Sequence, residues 1–115
     1  MRMAARANAA LDRTFAALAD PTRRMLIERI GRKPHRAGDL GRGLSISRPA
    51  VSKHLRVLRD AGLVAPDPRG REMVYRLSPT SPGLVAARAY VDRVSRLWDD
   101  ALAAFKAFAE QEERQ

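Results

Sequence analysis

Between positions 47 and 59 the chain carries Ser47, Arg48, Ser52, Lys53, Arg56 and Arg59, a set of donors and cations with no carboxylate before Asp60. Such groups bind rather than react. Guanidinium and ammonium groups pair with phosphates, and short hydroxyls reach the edges of bases. Val51, Leu55 and Leu58 recur at helical spacing and form a core-facing stripe on the other side. Ser47 is placed to cap the helix and Gly62 to end it. A helix with one cationic polar face and an open N-terminus fits the major groove of DNA, which admits a single helix and exposes base edges to its first turn. Ser47, Arg48, Pro49, Ser52, Lys53 and Arg56 are the candidate contacts, with the short uncharged set at the start favouring sequence-specific readout over indiscriminate binding. His54, one position before Leu55, joins the candidates. It either donates to a phosphate or base, or closes the edge of the core.

The elements that must hold this helix can be read on both sides of it. Residues 1–7 make a short basic start, expected to fray. Leu11, Phe15 and Leu18 then form a helical stripe over about 8–18. Asp20-Pro21 has the form of a cap followed by a first-turn proline, so a second helix is expected to about Ile30, with Gly31 closing it and Lys33-Pro34-His35 as a connector. A short helix is expected over 37–44, weakened by Gly38, Gly41 and Gly43 and held by Leu40 and Leu44. With the tight turn at Ser45-Ile46 it completes a helix-turn-helix over 37–61.

Beyond Gly62 the period changes. Leu63 to Ala65 is extended, Met73, Tyr75 and Leu77 alternate, and Pro68-Arg69-Gly70-Arg71 between them is a turn. The expected unit is a two-stranded wing over 63–77 with Arg69 and Arg71 at its tip, placed to touch phosphates or enter the minor groove. Pro66 and Pro68 cannot donate to a ladder, which predicts a short first strand at an edge. Ser81-Pro82 opens a last helix over 81–110. Its apolar residues Leu84, Ala87, Val91, Val94, Trp98, Ala101, Phe105 and Phe108 alternate spacings of three and four, a heptad seam. Such a seam can line a ligand pocket, pack on its own domain or join a second copy. Too little chain remains to cover its far end, so a dimer interface is expected.

Composition narrows the class. In 115 residues, 22 Lys and Arg oppose 13 Asp and Glu, for a net charge of +9. The excess is uneven: nine basic against four acidic residues over 1–41, eight against three over 42–76, and five against six over 77–115. A polyanion partner is the natural reading of that distribution. There is no cysteine, which removes disulfides and thiolate metal sites. Neither a signal peptide nor a membrane-length apolar run is visible, so a cytoplasmic protein is expected. No phosphate-binding glycine loop, activated nucleophile or paired histidine–carboxylate spacing is present, and no enzyme, cofactor or metal is expected. The expected fold is mostly α with a small β-hairpin: about five helices and a two-stranded wing, in one domain over 8–115. An architectural DNA binder and a protein-interaction module built on the last helix are the rival classes.

Several stretches resemble the ArsR/SmtB family of winged-helix repressors. They are Ala19-Asp20-Pro21-Thr22-Arg23, Asp39-Leu40 with Leu44-Ser45-Ile46-Ser47, the run from Ser47 to Val64, and the return strand Glu72 to Leu77. The resemblance covers roughly residues 10–108. It implies a homodimer that represses by binding an operator, joined through the first and last helices. That places Leu11 and Phe15 in the interface with Val91, Val94, Trp98, Ala101, Phe105 and Phe108. It does not carry over a metal site. Metal-sensing members place cysteines before the recognition helix, where Arg36 to Leu44 has none. Others place Asp and His on the last helix, where this chain has Asp92, Asp99 and Asp100 but no histidine.

Overall fold

The computed structural model describes residues 2–114, and the side chains of these other than Met3 and Ala7. Met1 and Gln115, at the limits of the basic start and of the expected domain, lie outside the described residues. The element order is α1 (Arg2–Leu18), α2 (Pro21–Arg32), β1 (His35–Arg36), α3 (Ala37–Leu40), α4 (Arg48–Asp60), β2 (Val64–Arg69), β3 (Glu72–Leu77) and α5 (Pro82–Glu113).

Three helices begin as their sequences dictate. Asp20, Ser47 and Ser81 stand in extended backbone, and each side-chain oxygen accepts a hydrogen bond from the N–H three residues on, at 3.0, 3.2 and 3.2 Å. Each also has a proline in its first turn, where a missing N–H costs nothing. Gly62 follows α4 at φ +79, a conformation that any Cβ would strain.

Four expectations are corrected. α1 begins at Arg2, so residues 2–7 belong to the helix rather than to a loose start before it. That segment is rich in alanine and arginine, the strongest helix formers. α3 stops at Leu40, four residues short of Leu44, because glycines at 41 and 43 give the helix little reason to continue. The connector at His35 is part of a strand: His35 pairs with Tyr75 and Arg36 with Val74, so the wing is a three-stranded sheet in the order β1-β3-β2. Finally, β2 runs to Arg69 despite its two prolines. The hairpin closes on Gly70-Arg71 with Arg69 opposite Glu72. In a two-residue hairpin that pair is hydrogen-bonded, so Pro68 and Pro66 fall at the intervening positions, their nitrogens turned to the open edge.

The core is built from Ala17 of α1, Leu26 and Ile30 of α2, Leu40 of α3, Val51, Leu55 and Leu58 of α4, and Leu63 and Val64 at the entry to the wing. Fully burying a side chain of this size contributes about 1.5–3 kcal/mol, so α4 is fixed from several sides at once. α5 is anchored differently, mainly on α1. The two helices meet at Gly83, where an added Cβ would collide with Thr14 Oγ1 and lie 2.8 Å from the carbonyl oxygen of Ala10. Phe15 and Tyr90 pack edge to face nearby, with ring centroids 5.6 Å apart. From there α5 runs out of the molecule. The radius of gyration is 19.4 Å, against about 13 Å for a compact chain of this length, and the longest dimension is 71 Å. No helix among the described residues is long and apolar enough to cross a membrane.

Candidate DNA-binding face and the exposed helix seam

Burying Val51, Leu55 and Leu58 turns the rest of α4 outward. Ser47, Arg48, Pro49, Ser52, Lys53 and Arg56 are all exposed along one arc, as their spacing predicts. Ser47 Oγ is already engaged with Ala50 N–H, so at this position one hydroxyl lone pair serves the helix itself. The first turn of α4 contains no acidic residue, leaving the positive end of its dipole unopposed.

His54 lies elsewhere. It is three residues from Val51 and four from Leu58, and therefore shares their flank rather than that of Ser52 and Arg56. It is half-buried, with Nδ1 3.4 Å from Nη1 of Arg23. Arg23 donates through Nε to the Ala17 carbonyl at 2.6 Å and through Nη2 to the Ala16 carbonyl at 3.1 Å. One guanidinium thus ties the C-terminus of α1, the start of α2 and the inner flank of α4. The carboxyl of Asp20 is held below its ordinary range chiefly by the Arg23 backbone N–H it accepts, with the charges of Arg23 and His54 adding to the effect.

The wing tip comes round to the same side as α4. Arg71 lines a concavity of about 450 Å³ together with Arg36, Asp39, Arg42 and Glu72. Arg48 and Ser52 line an adjoining one of about 510 Å³ that shares Asp39, Arg42 and Glu72. The structure therefore brings Arg48, Ser52 and Arg71 around one basin between α3, α4 and the wing. Arg69 is exposed at the end of β2, while Pro49, Lys53 and Arg56 continue the outer face of α4. A larger concavity of about 660 Å³ lies away from this face, between α1, the Gly62 loop and the start of α5. Its walls are largely alanine, glycine and proline, with Arg6, Arg13 and Asp60 as its polar groups.

Three arginines escaped the reading of the sequence. Arg36 sits on β1, whose two residues carry no period of their own. Arg42 sits in the turn after α3. Arg29 is half-buried on α2 and donates through Nη1 to the carbonyls of Leu40 and Arg42, at 2.9 and 2.8 Å, fixing the turn that leads into α4. Its position three residues after Leu26 and one before Ile30, at the rim of the core face, was the available signal.

The far part of α5 presents a second surface. Val94 is half-buried, but Val91, Leu97, Trp98, Leu102, Phe105 and Phe108 are all more than half exposed, with Trp98 at 64% and Phe105 at 69%. Leu11 is half-buried, and Phe15 is 38% exposed beside Tyr90. Trp98, Phe105 and Phe108 of the expected seam share their helix with Leu97 and Leu102 in an apolar band that the protomer leaves uncovered.

A basic helix presented by a helix-turn-helix, flanked by an arginine-tipped wing, defines a winged helix-turn-helix DNA-binding protein. Comparison with known proteins gives the family. Residues 18–67 match the model of a helix-turn-helix domain. The chain is 46% identical over 101 residues to the HTH-type transcriptional regulator Rv2034 of Mycobacterium tuberculosis, covering 88% of this chain and 90% of that one. It is 31% identical over 70 residues to the transcriptional repressor SdpR of Bacillus subtilis, covering 61% and 78%. Among solved structures it is similar to an ArsR-like transcriptional regulator from Rhodococcus sp. RHA1, with a TM-score of 0.66 and 37% identity over 89% of this chain and 94% of that one. The chain belongs to the ArsR/SmtB family of winged-helix transcriptional regulators. It is a DNA-binding regulator, not an enzyme.

Proposed function

We propose that residues 8–115 act as one domain and that two copies form a cytoplasmic homodimeric repressor of a palindromic operator. The observation that carries this reading is the uncovered seam of α5: a helix that leaves Trp98, Phe105 and Phe108 in water needs a second surface. A second copy supplies a matching one, with α1 contributing Leu11 and Phe15. Ser47, Arg48, Pro49, Ser52, Lys53 and Arg56 enter the major groove and Arg69 and Arg71 follow the backbone, while His54, on the inner flank beside Arg23, closes the edge of the core instead of touching DNA. The dimer sets the two copies of α4 about 34 Å apart, one turn of DNA.

Release from DNA does not use the thiolate metal chemistry of some relatives, because the chain contains no cysteine and its two histidines lie on different elements. Zinc, cadmium and arsenite at micromolar concentration are expected to leave a gel-shift complex intact. Footprinting on the DNA upstream of the protein's own coding region tests the main reading. The expected result is a two-fold symmetric footprint and an affinity roughly 10³-fold or more above random DNA at equal salt. Equal affinity for both, or a monomer at micromolar concentration in sedimentation, overturns it.

A further inference from the structure

We propose that Arg36 and Arg42 form a further phosphate-binding site between the recognition helix and the wing, and that Glu72 and Asp39 hold it partly closed by competing with the phosphates. This rests on the reading that α4 and the wing dock on DNA.

Both arginines stand in the basin already described. Arg42 shares one concavity with Arg48 and Ser52, and shares the next with Arg36 and Arg71. Any duplex that engages the first turn of α4 and the wing tip together must pass over that basin. Yet neither arginine is free to meet it. Nε of Arg36 lies 2.8 Å from Oε2 of Glu72, and Nη2 of Arg42 lies 3.2 Å from Oδ1 of Asp39. Among the described residues Arg48 and Arg71 have no such carboxylate partner within ion-pair distance. The same two carboxylates are the only acidic groups lining either concavity.

The pairs are too exposed to be structural staples. Side-chain exposure is 63% and 52% for Arg36 and Glu72, and 81% and 41% for Arg42 and Asp39. Ion pairs of this kind contribute little to stability, because water and salt screen them and ordering two long side chains costs entropy. A phosphate oxygen offers each guanidinium a comparable partner with two faces to grip. The exchange is therefore nearly balanced, and it leaves a carboxylate behind that repels the neighbouring phosphates. Glu72 and Asp39 thus weaken binding to DNA of every sequence. They keep a strongly basic protein from settling wherever DNA is encountered.

The test is electrophoretic mobility shift across a salt series, on operator and on random DNA, with thermal unfolding of each variant beside it. Glu72→Gln preserves size and hydrogen bonding and removes the charge. It is expected to bind both DNAs about two- to fivefold more tightly. It should also steepen the logarithmic salt dependence by about one unit, as one more phosphate is neutralised. In the double variant Arg36→Ala with Glu72→Gln, the extra steepening should vanish. A Glu72→Gln protein that binds no more tightly, or a steeper slope that survives removal of Arg36, overturns the proposal. Arg48→Ala separates this inference from the reading beneath it. If Arg48→Ala weakens binding while Glu72→Gln changes nothing, this inference alone falls; if Arg48→Ala binds as the parent does, both fall.

Discussion

α4 and the outer half of α5 are both amphipathic helices, and the fold treats them in opposite ways. The apolar stripe of α4 is buried by α2, α3 and the entry to the wing, so its polar face becomes the working surface. The apolar band of α5 beyond Val94 is buried by nothing in the protomer, so there the apolar face is the one left in water. Periodicity alone says only that a face will be covered. What covers it depends on which elements stand beside it, and α5 is anchored mainly on α1 and leaves its outer residues exposed.

The sharpest way to break this contrast is Trp98→Ala. Residue 98 is exposed on α5, which packs mainly on α1, so a purely local account expects DNA binding to be spared. If the band joins two copies, losing the indole uncouples the two half-sites and operator affinity falls by a factor on the order of 10²–10⁴. Sedimentation should show the loss of dimer at micromolar concentration. A variant that stays dimeric with full operator affinity would remove α5 from the interface.

Leu58→Ala probes the other helix. Leu58 is wholly buried, and truncation should cost about 2–5 kcal/mol in denaturant unfolding. The two effects differ in kind. The Trp98 defect should recover as protein concentration rises, because it acts on an association, while the Leu58 defect should not. Identical concentration dependence in both would contradict the contrast.

Smaller changes sharpen the working face of α4. Arg56→Ala should weaken binding to all sequences alike and flatten the salt dependence by about one unit. Ser52→Ala, nearer the start of the helix, should instead reduce the preference for operator over random DNA; equal losses on both would take Ser52 out of base readout. The smallest expected effect is at Asp20. Its folded carboxyl titrates below the ordinary value of 3.8, so its contribution to stability is present above that value and fades as the pH falls through the lower folded one. Asp20→Asn should therefore flatten the acid limb of the stability curve while leaving the neutral region nearly unchanged.

Local signals made much of this legible in advance. The cap-and-proline pairs at Asp20, Ser47 and Ser81, the stripes of α2, α4 and α5, and the alternation in β3 each depend on neighbours within one or two turns. What escaped depends on distant partners. β1 exists only because Tyr75 and Val74 are beside it. Arg23 and Arg29 find backbone carbonyls on other elements, and spacing can place a residue at the rim of the core without naming the carbonyl it reaches. The exposed set on α4 emerged in place because one stripe orients a whole helix. His54 was ambiguous for the same reason, since it stands where stripe and arc meet. The pairing of Arg36 with Glu72 required the sheet to be built first.

The meeting of α1 and α5 at Gly83 is also a fulcrum. With no side chain there, the two backbones touch, and the helix beyond is a rigid arm of about 45 Å. A tilt of one degree at that point carries the far end sideways by about 0.8 Å. Small adjustments where Gly83 meets Thr14 and the Ala10 carbonyl thus become large displacements at Phe105 and Phe108. In the dimer proposed above, a side chain in place of the hydrogen at residue 83 would therefore shift the spacing of the two α4 helices.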